Sequence, residues 1–288
     1  MTNSLPILPA TPGNVVVVGV DGSEANRGAL RYAVAEARST GAALKLVHVV
    51  PDHLPTPALV PVTPQELDDL GHQFLRDAAE TVRALDPDLA VEGWLHHGTR
   101  PVELAHGAEG ARVLVVGRDG RPLLERLLRG DTATGVAARA AVPVVEVPAD
   151  WSPRPPDADH VVVVAVKVAD RAATLLADAF GLAAQRAATL VVLHATKSDS
   201  RAATLGIEAV LRDWRARFPD VKVDVRVVPE PASDAVVAAS RDADLVVVGR
   251  RGRGVPAATH LGTTARAVLR AAHSPVRVVA TAERGWSA

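Results

Sequence analysis

The chain carries one sequence pattern twice, and this duplication limits the folds that are open to it. Four Val-rich segments of the first half recur in the same order in the second half. Residues 15–20, 43–48, 113–117 and 143–147 return as residues 161–166, 188–194, 245–249 and 275–279. The sequence therefore predicts two copies of one structural module.

The two copies differ in length at one place. His194 lies 146 residues after His48, whereas Gly249 lies 132 residues after Gly117, so the first copy holds about fourteen extra residues. The extra residues fall in the segment 51–65, which contains five prolines. Such a segment is typical of a surface loop, and it leaves the shared motifs untouched.

The duplication predicts the domain organisation. Each half of the 288 residues is long enough to bury a core of its own. We expect an N-terminal tail over residues 1–13, a first domain over 14–148 and a second domain over 160–281. Residues 149–159 lie between them in a proline-rich stretch that predicts a stiff, exposed linker.

Composition excludes several classes of function. The formal net charge is −1 without a dominant basic run, so nucleic acid is not an expected partner. The absence of cysteine excludes disulfides, thiolate catalysis and Cys-based zinc sites. No apolar run approaches membrane-spanning length, and the first residues do not resemble a cleavable leader. We therefore expect a soluble cytoplasmic protein that does not enter a membrane.

The strand segments indicate the fold class. Their apolar runs are nearly continuous rather than alternating, which is typical of parallel strands covered by helices on both faces. Each half alternates five such strands with four helical segments, and Ser23 is expected to cap the first helix. The prediction is an α/β protein of two tandem, doubly wound, five-stranded parallel-sheet domains. In such sheets a ligand binds outside the carboxyl ends of the strands.

A glycine motif follows the fourth strand of the second half. Gly249 is followed by Gly252 after two residues, and then by Gly262 and Thr263 at the start of the next helix. Glycines allow the backbone to approach an oxyanion, while N–H groups and a hydroxyl at a helix start are donors for phosphate. Three arginines of this segment add cationic donors, although on an exposed loop they are equally suited to solvent: Arg250, Arg251 and Arg253.

The first half repeats the glycine spacing with one change. Gly117, Gly120 and Gly130 match the second copy, but Asp131 stands where the second copy has Thr263, and Thr132 follows. A carboxylate about 4 Å from a phosphate costs on the order of 1 kcal/mol in water and more when desolvated. We therefore expect weaker phosphate binding in this half, where Asp131 is also suited to capping the helix.

These motifs resemble the universal stress protein family in its tandem form. The resemblance lies in the sequence VGVDGS at residues 18–23, the doubled glycine motif and the terminal Pro-Val strand, and it covers nearly the whole chain. It implies a fold like that of the adenine-nucleotide alpha hydrolases. Some members bind ATP and others do not.

The resemblance also implies which residues hold a nucleotide. An acid after the first strand addresses the nucleoside, an apolar residue after the second strand packs near it, and the glycine motif holds the phosphates. In the first half, the matching positions are Asp21, Val49, Gly117, Gly120 and Gly130, and Thr132 is a further candidate. In the second half they are Lys167, Ala195, Gly249, Gly252, Gly262 and Thr263, and Arg250 and Thr264 are further candidates.

The halves depart from the family pattern in complementary ways. The first half keeps Asp21 but has Asp131 at the phosphate position, while the second keeps the phosphate motif but has Lys167, which cannot accept a hydrogen bond from ribose. A second hydroxyl of the family pattern is replaced by alanine in both halves, at Ala133 and Ala265.

The sequence thus indicates a stress-response regulator that binds ATP or a related adenine nucleotide, with or without Mg²⁺, in at least one half. The second half is favoured. No nucleophile elbow, Walker A or HExxH motif is present, so no dedicated enzyme is predicted. The alternative is an interaction module whose glycine loops serve only as turns and whose pockets bind no nucleotide.

Two further expectations concern the histidines and assembly. His96 and His97 are adjacent on a strand and point to opposite faces, so no metal site is predicted, and His48 and His194 are expected to pack or hydrogen-bond beneath the site. The resemblance implies that the last strands of the two domains pair inside one chain as a pseudo-dimer, which would cover two sheet edges. It leaves open the formation of a homodimer.

Overall fold

The computed structural model describes residues 13–52, 63–118, 132–167, 173–197, 199–251 and 261–281. The chain divides into two compact units, Met1–Pro153 and Arg154–Ala288. Each unit carries a five-stranded parallel sheet with helices between the strands, so the predicted fold class is confirmed. Among the described residues, the helices are too short or too polar to cross a bilayer.

The elements of the first unit are β1 (Val15–Gly19), α1 (Asn26–Thr40), β2 (Ala43–Val50), α2 (Pro64–Leu85), β3 (Val91–His97), α3 (Arg100–Gly107), β4 (Val113–Gly117), α4 (Thr132–Arg139) and β5 (Val144–Val147). The strand order is β3-β2-β1-β4-β5, and all four neighbouring pairs are parallel. The order reverses between β1 and β4, where the carboxyl ends of these strands form the crevice typical of doubly wound sheets.

The elements of the second unit are β6 (Val161–Ala165), α5 (Ala173–Gln185), β7 (Thr189–Ala195), α6 (Ser200–Arg217), β8 (Val223–Val228), α7 (Ala232–Ala239), β9 (Leu245–Arg251), α8 (Thr263–Ala271) and β10 (Val276–Thr281). This unit repeats the topology of the first with the order β10-β9-β6-β7-β8. The matching reversal lies between β6 and β9.

The central strands are buried on both faces, as the continuous valine runs predict. Val16, Val17 and Val18 of β1 are at most 1% exposed, although successive side chains point to opposite faces of the sheet. Aliphatic side chains from the helices cover them on each side. The hydrophobic core therefore has two layers around each sheet.

The helix starts follow capping chemistry, with one correction. Thr63 and Glu66 form a reciprocal capping box at the start of α2, next to the favourable Pro64. The expectation that Ser23 caps α1 is wrong, because α1 begins at Asn26. Ser23 instead donates its backbone N–H and its hydroxyl to Oδ1 of Asp21, at 3.0 and 2.6 Å.

The beginning of the proline-rich segment packs on α1. A Cβ atom added at Gly28 would lie 1.9 Å from the carbonyl oxygen of Pro148, so only glycine permits this approach. Arg31 donates from Nε to the carbonyl of Trp151 at 2.7 Å and from Nη2 to that of Ala149 at 3.0 Å. The exposed character predicted for residues 149–159 is found at residues 152–157, whereas residues 148–151 belong to the surface of the first unit.

We expect Gly28→Ala to destabilise the protein by about 1–3 kcal/mol, because the new methyl group overlaps the Pro148 carbonyl. Gly181→Ala in α5 is the matched control, since a Cβ there meets open space and alanine raises helix stability by up to about 1 kcal/mol. Urea unfolding followed by circular dichroism measures both midpoints. Equal shifts of the two midpoints would contradict the tight approach at Gly28.

Candidate functional site

The register of the first sheet places three predicted site residues at one level of its carboxyl edge. Gly19 pairs with Val47, and Val18 pairs with Val115. Continuing this register sets Asp21 beside Val49 and one residue past the level of Gly117. Asp21 and Val49 therefore share one edge of the sheet with Gly117, the described glycine of the first phosphate motif.

Asp21 is exposed at this edge, and its carboxylate is partly engaged. Its Oδ1 atom accepts both hydrogen bonds from Ser23. This local turn fixes the direction of the side chain, because an Asp that bonds its own backbone two residues on forms a stable turn. The Oδ2 atom remains the acceptor that a ligand hydroxyl would use.

The other two positions of this edge are more enclosed. Val49 is 3% exposed within β2 rather than beyond its end. A Cβ atom at Gly117 would lie 2.7 Å from the carbonyl oxygen of Ala25, so the end of β4 touches the turn before α1. Asn26, the first residue of α1, donates from Nδ2 to the carbonyl of Gly19 at 2.8 Å and holds this turn on β1.

A histidine lies beneath each predicted site, and the expectation of local hydrogen bonding is confirmed. His48 Nδ1 is 2.7 Å from the Val20 carbonyl oxygen, and His194 Nδ1 is 2.8 Å from that of Val166. Since a carbonyl only accepts, Nδ1 carries the proton in both rings. Each bond ties the end of the second strand of its unit to the residue after the first strand.

Burial lowers the pKa of His48 below its ordinary value of 6.5, and the Arg100 guanidinium and His72 act in the same direction. The hydrogen bond to Val20 and the Asp21 carboxylate oppose this shift without reversing it. The folded protein therefore favours neutral imidazole at this position.

Phe74 of α2 covers the ends of β1 and β2, a feature that the sequence analysis missed. Its ring is edge-on to His48, with centroids 5.4 Å apart. A Cβ atom at Gly22 would lie 2.4 Å from two atoms of the Phe74 ring, so the ring touches the turn that carries Asp21. Alignment of α2 with α6 pairs Phe74 with Gly206, and this difference was the available sequence signal.

In the second unit, Lys167 and Ala195 take the corresponding places. Ala165 pairs with Leu193 and Val164 pairs with Val247, which sets Lys167 beside Ala195 at the carboxyl edge and next to the level of Gly249. Lys167 is exposed and Ala195 is partly exposed. Ala195 thus offers an accessible apolar surface at the level where the first unit has the buried Val49.

Arg250 does not lie on an exposed loop, which corrects one expectation. It belongs to β9, pairs with Ala280 and is only 5% exposed, with Nη1 3.2 Å from the Arg251 carbonyl oxygen. The hydroxyl of Thr281 donates to the Arg250 carbonyl at 2.8 Å and holds the strand in place. The strand therefore continues two residues beyond Gly249 because β10 pairs with it.

The start of α8 is the open part of this edge. Gly262 occupies the N-cap position and is exposed, and a Cβ atom there would meet open space. Thr263 is exposed, Thr264 is half-buried, and the first turn contains no acidic residue. Thr132 is the first residue of α4 in the other unit and is half-buried. Four predicted positions and Arg253 lie outside the described residues: Gly120, Gly130, Asp131 and Gly252.

His96 and His97 end β3 at the same carboxyl edge, where His96 pairs with Val49. His97 Nε2 is 2.7 Å from Asp68 Oδ1, and His96 Nδ1 is 3.5 Å from Glu103 Oε2, so the neighbouring rings have separate acidic partners. Within the described parts of the chain, no three acidic or histidine side chains converge as metal ligands would.

The pKa of His48 predicts a pH dependence of stability. Because the folded state resists protonation of His48, the free energy of unfolding should fall as the pH drops from 6.5 to the lowered pKa of His48 in the folded state. We expect His48→Asn to be less stable near pH 7.5 yet to lose less stability between about pH 7.5 and about pH 5.5. Urea midpoints at both pH values measure the difference. The exposed His273→Asn is the control and should keep the wild-type slope. An unchanged slope in His48→Asn would contradict this assignment.

Comparison with known proteins agrees with this geometry. The family model described as "Universal stress protein family" matches residues 14–148 and 160–280. Universal stress protein Rv2005c of Mycobacterium tuberculosis is 30% identical over 283 residues, covering 91% of this chain and 96% of that protein. Rv2623 of the same organism is 30% identical over 284 residues, covering 91% and 95%.

A solved structure shows the same fold. The crystal structure of a universal stress protein from Archaeoglobus fulgidus DSM 4304 has a TM-score of 0.77 at 20% identity, and the match covers 94% of this chain and 97% of that one. With both domains matched by the family model and relatives aligned over almost their full length, the chain belongs to the universal stress protein family in its two-domain form.

Proposed function

We propose that this protein binds ATP or a related adenine nucleotide in its second unit and acts as a nucleotide-responsive regulator without dedicated catalysis. The observation that carries the proposal is the exposed start of α8 at the carboxyl edge of β9. There, Gly262 and Thr263 begin a helix whose first turn has no acid.

The phosphate end of the ligand has the stronger support. The first N–H groups of a helix have no intrahelical partners, and the helix dipole favours negative charge beside them. The absence of a side chain at Gly262 leaves room for an oxyanion to approach these groups, and the Thr263 hydroxyl adds a donor. Arg251 is exposed at the end of β9 and brings a cation to the same edge. Mg²⁺, where present, would be bound through the phosphates.

The residues proposed to contact the nucleoside in the second unit differ from the family pattern. Lys167 cannot accept hydrogen bonds from ribose hydroxyls, so this lysine gives no equivalent of the Asp21 carboxylate. Its ammonium instead adds positive charge at the carboxyl edge of the second unit. We infer that phosphate contacts supply most of the affinity there, and apolar contact beside Ala195 supplies the rest.

The proposal includes binding without a dedicated reaction. General-base catalysis requires a titratable side chain within hydrogen-bond reach of the reacting group. The edge of the second unit carries Lys167, Arg251, Thr263 and Thr264, and its titratable His194 already donates from Nδ1 to the Val166 carbonyl. Such a set favours anion binding over activation of water.

Thr263→Asp tests the phosphate position by copying the acid that the first half carries at residue 131. We expect ATP affinity to fall on the order of a thousandfold, since like charges about 4 Å apart near a protein surface repel by about 4 kcal/mol. Isothermal titration of nucleotide-stripped protein with Mg²⁺-ATP measures the change. The same substitution at Thr132, the first residue of α4, is the matched control and should leave the second unit unaffected.

Two outcomes of this titration would contradict the proposal. Absence of binding by the folded wild-type protein would favour the alternative of a nucleotide-independent interaction module. Equal losses in Thr263→Asp and Thr132→Asp would show that the α8 start is not the phosphate position. Circular dichroism confirms folding in each variant, because an acid in a first helical turn is compatible with the helix.

A further inference from the structure

We infer that Phe74 closes the base position of the first unit, and that Gly206 leaves the equivalent position of the second unit open to an adenine ring. The inference deepens the proposed function and depends on it, because it states which unit admits the nucleoside. It concerns two side-chain positions that the glycine motifs do not include.

The close approach of α2 to the sheet brings Phe74 over the strand ends. One turn before Phe74, a Cβ atom at Gly71 would lie 2.6 Å from Leu95 Cδ1 and 2.9 Å from His48 Cδ2. Gly71 therefore lets α2 lie directly on β2 and β3. A larger residue at this position would lift the helix and its phenylalanine away from the edge.

The Phe74 ring covers the turn after β1. Gly22 has a φ of +72° and touches the ring, so this turn combines a left-handed backbone with a side-chain contact that leaves no space for a Cβ atom. The other ring neighbour is His48, whose position is fixed by its bond to the Val20 carbonyl. An adenine ring beside Asp21 would therefore have to displace Phe74.

Among the described residues of the second unit, the position equivalent to Phe74 carries no aromatic ring. The buried Leu75 and Ala79 of α2 correspond to the buried Ile207 and Leu211 of α6, each 132 residues later, which is also the offset between the paired glycine motifs. The same offset pairs Phe74 with Gly206. A Cβ atom at Gly206 meets nothing within 4 Å.

The core beside Gly206 is closed. The gap between β6, β7, α5 and α6 has no room for a water molecule, and the residues that line it are at most 5% exposed: Val166, Leu176, Val192, Ile207 and Leu211. Val166 also accepts the hydrogen bond of His194, so this packed core reaches the carboxyl edge. An adenine ring admitted by Gly206 would therefore lie on the edge beside the partly exposed Ala195, and not inside the core.

Adenosine is the appropriate probe, because it has no phosphates and is insensitive to the charge of Asp131. We expect the wild-type protein to bind one ATP per chain. Phe74→Ala should add a second site for adenosine in the first unit, where Asp21 is available to accept from ribose. Trp94→Ala is the control, since this exposed aromatic residue of β3 lies away from the turn after β1 and its removal should leave the stoichiometry unchanged.

The reciprocal variant closes the second unit. Gly206→Phe should abolish nucleotide binding there, whereas Gly181→Phe on α5 should retain it. Both variants should fold, because a Cβ atom at either glycine meets open space. Isothermal titration gives the stoichiometry, and circular dichroism with urea unfolding confirms that each variant is folded.

The outcomes separate this inference from the proposed function. If the wild type binds ATP but Gly206→Phe binds it equally well, the function stands and the inference is overturned. An unchanged adenosine stoichiometry in folded Phe74→Ala also overturns it. If the wild type binds no nucleotide while Phe74→Ala binds adenosine, the proposed function fails and the closing role of Phe74 is supported.

Discussion

The burial of parallel strands on both faces is the constraint on which the rest of this structure depends. Parallel neighbours cannot be joined by a tight hairpin, so every connection crosses over through a segment on one face of the sheet. All strands of a unit then end at the same edge. The bond from His48 to the Val20 carbonyl joins two of these strand ends, and His194 repeats it in the second unit.

Much of this fold could be predicted from the sequence because its signals are local and repeated. Continuous valine runs indicate buried parallel strands, and the capping chemistry of Thr63 and Pro64 fixes the start of α2. The start of α1 was harder to predict, because Ser23 has two available partners and bonds to Asp21 rather than to the helix. Arg250 was misplaced for a related reason. A glycine-arginine run resembles a loop, and its pairing with β10 is a long-range contact.

The sequence predicts the edge of the sheet at which the candidate site lies, but not which side chains occupy that edge. The glycine positions follow from their repeated spacing along the chain, and Asp21 follows from the family resemblance. The position of Phe74 over Gly22 depends on how closely α2 approaches the sheet, and that distance is set by Gly71 against Leu95 and His48. An aromatic residue on an amphipathic helix is ordinarily core, so its own sequence context does not reveal the turn that it covers.

The packing of residues 148–151 on α1 has a consequence for synthesis of the chain. The two hydrogen bonds of Arg31 join residues that are 118 and 120 positions apart, and the Pro148 carbonyl lies against Gly28. None of these contacts can form until the ribosome has released the residue that supplies the carbonyl, which is Pro148, Ala149 or Trp151. α1 therefore completes its packing only after β5, the last strand of its unit, has been made. Residues 148–151 are then the last part of the first unit to pack against α1.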